Sequence, residues 1–334
     1  MANPVLVEVT RGEMVESFHR GAFALMDGEG RLLASAGDVD RPVFPRSTIK
    51  VFQAIPLIET GAAAAFQLSP AELALACASH SGETGHVRQV AAMLAKAGLD
   101  ASALECGCHW PFDAAVARDL ARRGETPTAL HNNCSGKHAG FLCTAVHRGE
   151  DRRGYVGRDH PVQLRAKAVI EELVGQALTV DACGIDGCSI PTFAAPLKGF
   201  AHGFAKLVSG HGISPQRAAA GRSLIDACMA HPWEMSGTGR FCETLMGVAP
   251  GRVFAKTGVE GVFCGALPDL GLGFALKIDD GATRASEALA AAVIATALRD
   301  EDAALAGRFE GLARRTLSNW EKVEVGEIRV TMPA

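Results

Sequence analysis

The chain has 334 residues, 48% hydrophobic and 21% charged, with a formal net charge of −4; that suffices for a large core in one or two closely packed domains. There is no basic run to mark a nucleic-acid partner, and no apolar stretch approaches the roughly 18 residues that would span a bilayer. The first residues lack the basic and apolar regions of a secretory signal, so the ten cysteines read as reduced thiols, and the expectation is a cytoplasmic protein engaging neither nucleic acid nor membrane.

Residues 4–10 (PVLVEVT) alternate and read as a strand. Residues 21–26 and 31–35 flank Asp27-Gly28-Glu29-Gly30, a hairpin signal. Residues 51–58 are apolar at helical spacing, with Ser47 at the start of that helix. Ser69-Pro70-Ala71-Glu72 is a capping box with proline at the first helical position, and opens a helix running to about Ser79. Helical periodicity continues through 87–96, 115–123, 137–147, 162–173, 197–208, 217–230 and 240–245. Short apolar runs at 252–257, 262–267 and 272–278 read as a β-meander. A helix at 285–299 and an edge strand at 324–331 follow. Strands at both ends with helices between predict an α/β fold of α+β type: an antiparallel sheet from the N- and C-terminal strands, flanked by helices, with an inserted helical subdomain. Residues 1–60 and 250–334 would hold the sheet and 61–249 the mainly helical part. With no linker rich in proline, serine or charge, 1–334 reads as a single domain.

Ser47-Thr48-Ile49-Lys50 is an S-x-x-K tetrad. Three residues make almost one helical turn, so the lysine amine can reach the serine hydroxyl. A serine needs such a base to become a nucleophile, and a helix N-terminus offers amides to a developing oxyanion. Taken alone, the tetrad reads more simply as an ordinary serine near a helix start followed by a surface lysine. Lys256-Thr257-Gly258, at a strand end, shifts that balance. S-x-x-K followed by K-T-G is the arrangement of serine acyl-enzymes, although no S-D-N motif is recognisable. Ser79, in Ala78-Ser79-His80-Ser81-Gly82-Glu83, supplies a second hydroxyl; His80 reads as a surface or structural histidine.

His131-Asn132-Asn133-Cys134-Ser135-Gly136-Lys137-His138-Ala139-Gly140 concentrates a thiol, an amine, two imidazoles and two amides. Gly184-Ile185-Asp186-Gly187-Cys188-Ser189 adds a second cysteine beside a carboxylate. Thiolates are preferred zinc ligands, so Cys134, Lys137 and Cys188 form a metal candidate. Lysine is a rare ligand because its amine must first lose a proton, and His138 is the competing donor. Asp186 would orient the site or bind a substrate ammonium. On spacing alone, two small buried cysteines are the simpler reading. Cys106-Gly107-Cys108-His109 reads as a packed loop, and Cys77, Cys143, Cys228, Cys242 and Cys264 as core.

Together, Phe44 through Lys50, Ala76 through Glu83, His131 through Gly140 and Gly184 through Pro191 resemble the rhizobial-type (class 3) L-asparaginases, the asparaginase II family of bacteria. The resemblance spans nearly the whole chain. It implies the fold of serine β-lactamases and class A glutaminases, and hydrolysis of L-asparagine to L-aspartate and ammonia. It pairs Ser47 with Lys50, and Ser79 with a lysine best matched by Lys256. It implies a zinc ion on Cys134, Lys137 and Cys188, completed by water, with Asp186 nearby, assisting substrate binding. It also implies a homodimer. The expected mechanism is attack by Ser47 on the side-chain amide with Lys50 as base, while Ser79 and Lys256 relay a proton to the leaving ammonia. Arg46 would clamp the α-carboxylate and Asp186 or Glu83 the α-ammonium, with His138 in the substrate-facing wall. The rivals are a β-lactamase or transpeptidase, a zinc hydrolase using metal-bound water, and a non-catalytic amino-acid-binding protein.

Overall fold

The computed structural model describes residues 2–332. β1 (Val5–Arg11) turns through Gly12, at φ +55°, into β2 (Met14–Asp27). The Asp27–Gly30 turn leads to β3 (Leu32–Ala36), Asp27 Oδ1 accepting from Arg31 N at 2.9 Å. β4 (Pro42–Val43) precedes a 3-10 turn at Arg46–Ile49 and α1 (Lys50–Glu59). α2 (Ala62–Ala65) is followed by α3 (Pro70–Ala76), which carries the expected capping box: Ser69 Oγ accepts from Glu72 N at 3.3 Å, and Glu72 Oε2 from Ser69 N at 2.7 Å. This helix stops at Ala76, and residues 78–83 run on as an irregular segment, with Gly82 at φ +77°, instead of continuing the helix to Ser79. Then come α4 (Thr84–Lys96), α5 (Ala114–Arg122, capped by Asp113), α6 (Ser135–Arg148) and α7 (Pro161–Val174). Both α6 and α7 are ended by left-handed glycines, Gly149 and Gly175.

β5 (Cys183–Ile185), β6 (Pro191–Phe193), β7 (Ala195–Pro196), α8 (Leu197–Ser209), α9 (Pro215–Ala230), α10 (Pro232–Ser236) and α11 (Phe241–Val248) lead to the meander β8 (Phe254–Thr257), β9 (Val262–Leu267) and β10 (Leu272–Ile278). α12 (Thr283–Leu298), α13 (Ala303–Ala313), β11 (Arg315–Ser318) and β12 (Glu324–Val330) complete the chain. Among the described residues no helix is long and apolar enough to cross a membrane.

The chain divides into two compact units. One comprises the chain up to Thr48, Ala194–Gly212, and the chain from Arg252 onward. Its centre is an antiparallel sheet ordered β11-β12-β1-β2-β10-β9-β8, with β3 also on β2. The sheet is closed from N- and C-terminal strands, as the sequence predicts. β12 lies between β1 and β11 and is not the edge strand. The edge is β11, four residues with an exposed pattern too weak to announce a strand. α8 packs across β10 and β2. Gly273 permits that approach, since a Cβ there would lie 2.2 Å from Ala201 O and 2.4 Å from Ala205 N.

The other unit comprises Ile49–Phe193 and Ile213–Gly251. α1 packs on α6, α7 and α9, and α3 on α6 and α9. α1 buries every residue from Lys50 to Leu57, and α6 every residue from Ser135 to Ala145. Helices buried all round belong to a core; these two carry lysines into it. Arg217 of α9 grips Glu59 of α1 through two hydrogen bonds, at 2.6 and 2.9 Å, a planar fork matched to a carboxylate.

Candidate active site

In the sheet unit, the chain turns sharply at Arg46, whose φ of +53° is a left-handed conformation unusual for a side-chain-bearing residue. Strain of this kind gathers at functional sites. Ser47 follows, half-buried, in the 3-10 turn. It therefore stands a full turn ahead of α1, whose first residue is Lys50. The Thr48 amide is already spent on Pro45 O at 3.2 Å, and so is the Thr48 hydroxyl at 2.8 Å. The K-T-G strand end lies against this turn: a Cβ on Gly258 would sit 3.0 Å from Thr48 Cγ2 and 3.4 Å from Ser47 N. Lys256, on β8, is buried, and its Nζ donates to Thr257 O at 3.3 Å.

In the helical unit, Lys50 is 1% exposed. Its Nζ donates to Ala78 O, to Ser79 Oγ at 2.9 Å and to Cys134 Sγ at 3.1 Å. One amine thus joins the irregular segment after α3 to the residue that precedes α6. Ser79 is buried, and its own amide donates to Met235 O at 3.0 Å.

The two candidate thiols meet. Cys188 arrives on the tight turn between β5 and β6, closed by Asp186 N to Ile190 O and Ser189 N to Asp186 O, both at 2.9 Å. Ser189, immediately after it, has φ +74°. The Cys188 thiol donates to Cys134, which drops well below the ordinary thiol range despite burial, with Lys50 and Lys137 adding positive charge. Cys188, giving that proton, is pushed up by the same bond and by burial. The two sulfurs titrate as a pair, with the Lys50 amine on Cys134 and the Lys137 amine on Cys188 favouring a negative charge between them. Lys137 Nζ donates to Cys188 Sγ at 3.1 Å and lies 5.8 Å from the Phe141 ring centre. Burial opposes a charge on Lys137, but the sulfurs of Cys188 and Cys134 and the carboxylate of Asp186 outweigh it, and its pKa ends above the usual value.

The remaining candidates occupy distinct places. Asp186 is half-buried, its Oδ1 accepting from Gly187 N at 2.8 Å. His138 is fully buried; its Nδ1 bonds Tyr155 Oη at 2.7 Å, its Nε2 meets no hydrogen-bond partner, and burial holds it neutral. Tyr155, the single tyrosine of the chain, also accepts from Glu105 N at 2.9 Å. Glu83 is committed to the loop after α10: its two oxygens take Thr238 N and Thr238 Oγ1, each at 2.8 Å. His80, read from the sequence as a surface or structural histidine, is completely buried beside Ser79. Its only sequence signal is its place between two serines.

The family model described as L-asparaginase II matches residues 7–330, and the chain belongs to that family. No curated sequence matches it. Among solved structures it is similar to the native form of Mglu, at 18% identity and TM-score 0.45, covering 84% of this chain and 64% of that one. It is also similar to a beta-lactamase from Mycobacterium bovis, at 16% identity and TM-score 0.40, covering 84% and 94%. A third is a mutant simvastatin synthase from Aspergillus terreus, at 12% identity and TM-score 0.39, covering 78% and 86%.

Proposed function

We propose that the protein hydrolyses the side-chain amide of L-asparagine to L-aspartate and ammonia by serine–lysine acyl transfer, in the cytoplasm and as a homodimer. The observation that carries the reading is Lys50, a fully buried amine 2.9 Å from a serine hydroxyl and 3.1 Å from a thiol. A lysine taken out of water for structural reasons alone is rare; one aimed at a hydroxyl is placed for proton transfer.

Ser47, three residues before Lys50, attacks the amide carbon and gives its proton to Lys50. The tetrahedral intermediate expels ammonia, which takes a proton relayed through Ser79, with Lys256 as the second amine. Water then hydrolyses the aspartyl ester and restores Ser47. Arg46 receives the α-carboxylate. Asp186 is the better partner for the α-ammonium than Glu83, whose oxygens already hold Thr238. His138, next to Lys137 in sequence, is fixed in the core by its bond to Tyr155.

Thiolates are preferred zinc donors, and this set would take zinc once Lys137, whose pKa lies above the usual value, gives up its proton. Two sulfurs in mutual hydrogen bond lie beside the Lys137 amine. Among the described residues no group of three or more His, Cys, Asp or Glu side chains is arranged for a metal, so Lys137 would supply the third donor after losing its proton. An ion held there supplies positive charge that strengthens substrate binding. Cys134, Cys188 and Lys137 would hold it, and Asp186 orients the turn that carries Cys188.

The test is ammonia release from asparagine and glutamine, with and without chelator, for the wild type and Ser47→Ala. Loss of turnover in Ser47→Ala with chemistry surviving chelation supports the reading. Complete loss on chelation points to a metal-bound water as nucleophile. The Lys50–Ser79 hydrogen bond favours one second reading, in which Ser79 is the nucleophile. Near wild-type turnover by Ser47→Ala together with an inactive Ser79→Ala establishes it.

A further inference from the structure

His80 takes no part in the chemistry above, yet its ring is bound at both nitrogens. Gly82 N donates to Nδ1 at 3.1 Å, so Nδ1 carries no proton. Nε2–H therefore donates to Ser135 Oγ at 2.9 Å, and the Ser135 hydroxyl passes its own proton to Leu130 O, also at 2.9 Å. The His80 backbone amide donates to Asn133 O at 3.2 Å. The ring lies flat on His86, with centroids 4.9 Å apart, and His86 lies flat on Trp233 at 4.0 Å. Burial, reinforced by His86 and Lys50, keeps the imidazole neutral. One tautomer in one orientation is therefore locked in place.

The two segments that His80 fastens are the same two that Lys50 joins. On one side are Ala78 and Ser79, which Lys50 bonds, with His80 next in sequence. On the other is Cys134, which Lys50 bonds, flanked by Asn133 and Ser135, which His80 bonds. With Asn133 and Ser135 both tied to His80, the Cys134 sulfur between them cannot drift relative to the Ser79 hydroxyl. A displacement of about 1 Å in such a site is enough to cost roughly 100-fold in rate.

We propose that His80 is a positioning residue: through its Nε2–H to Ser135 it sets the spacing of Ser79 and Cys134, and with it the seat of the Lys50 amine. The inference rests on the serine–lysine reading above. It also separates the two ring nitrogens. An asparagine at position 80 places an acceptor near Nδ1 and keeps the bond from Gly82, but falls short of Ser135. A glutamine is one methylene longer, places an amide donor near Nε2 and restores the link.

The experiment is steady-state asparagine hydrolysis by His80→Asn, His80→Gln, Ser135→Ala and Lys50→Ala, each with a thermal melt. His80→Asn and Ser135→Ala are expected to lose about 30- to 100-fold in kcat with KM within about threefold, while His80→Gln recovers to within about fivefold of wild type. Ser135→Ala leaves the imidazole and its stack in place, so it decides the matter even if His80→Asn does not fold. Wild-type kcat in Ser135→Ala overturns the proposal, as do losses that follow the fall in Tm equally in His80→Asn and His80→Gln. Wild-type activity in Lys50→Ala removes the serine–lysine reading itself, a failure visible without any His80 variant.

Discussion

Gly136 stands in the first turn of α6, between Cys134 and Lys137, where the helix crosses α3. A Cβ at this position would lie 2.2 Å from Leu75 O, 2.8 Å from Leu75 Cγ and 2.9 Å from Leu75 C, where ordinary contact begins at 3.4 Å. The nearest obstacle is backbone and cannot rotate away, so Gly136→Ala must part the two helices by about 1 Å. Two effects compete. Alanine in a helix interior is favoured over glycine by about 1 kcal/mol. Overpacking costs typically about 1–3 kcal/mol and more when the backbone must move. Because the obstacle is backbone, the clash lies at the upper end of that range and wins, for a net loss of about 2 kcal/mol. Gly140, one turn later, is the control: its Cβ would come no closer than 3.3 Å to Ala76 Cβ and Leu57 Cδ2. There a small adjustment suffices and propensity wins, so Gly140→Ala keeps or slightly raises stability. A shift of α6 also carries Cys134 and Lys137 away from Cys188, so Gly136→Ala is expected to lose on the order of 100-fold in activity. Circular-dichroism melts and ammonia release read both effects. A Gly136→Ala protein that melts at or above the wild-type temperature with full turnover refutes the reasoning.

His80 and His138 are held neutral by burial, with folded pKa values well below the unfolded value of about 6.5. The unfolded chain therefore takes up protons first, and the stability present above about pH 6.5 is lost below it, by about 1.4 kcal/mol per pH unit for each histidine until the folded pKa is reached; urea midpoints that stay level from pH 7.5 to 5 contradict this. Glu83→Gln weakens the grip on Thr238 and is expected to cost about 1 kcal/mol in stability while leaving the KM for asparagine within about threefold; a tenfold rise in KM makes Glu83 a substrate contact instead. Cys188→Ala removes one soft donor and the hydrogen-bond partner of Cys134, so zinc measured by atomic absorption is expected to fall from about one per chain to near none. Equimolar zinc in that variant places the metal elsewhere.

Much of the architecture is written locally. The Ser69–Glu72 capping box, the Asp27–Gly30 turn and the periods of the apolar residues lie within a few positions of the groups they order, and each appears in the structure where the sequence places it. The sheet built from both ends of the chain follows from the same periods. Local signals fade where an element is short or interrupted. β11 has four residues, and α13 carries two glycines that blur its pattern, so the place of β12 inside the sheet was not legible.

The sequence by itself singled out the candidates for chemistry, because Ser47–Lys50, Lys256–Gly258 and the segments around Cys134 and Cys188 are short motifs whose members lie within a few positions of one another. The tertiary structure alone decided what each of them touches. Lys50 meets Ser79 and Cys134 across 29 and 84 positions, and Lys137 meets Cys188 across 51. Glu83 is committed to Thr238 across 155 positions, and His80 to Ser135 across 55. A hydrogen-bond partner is set by which distant segments the core brings together, and no spacing along the chain encodes that.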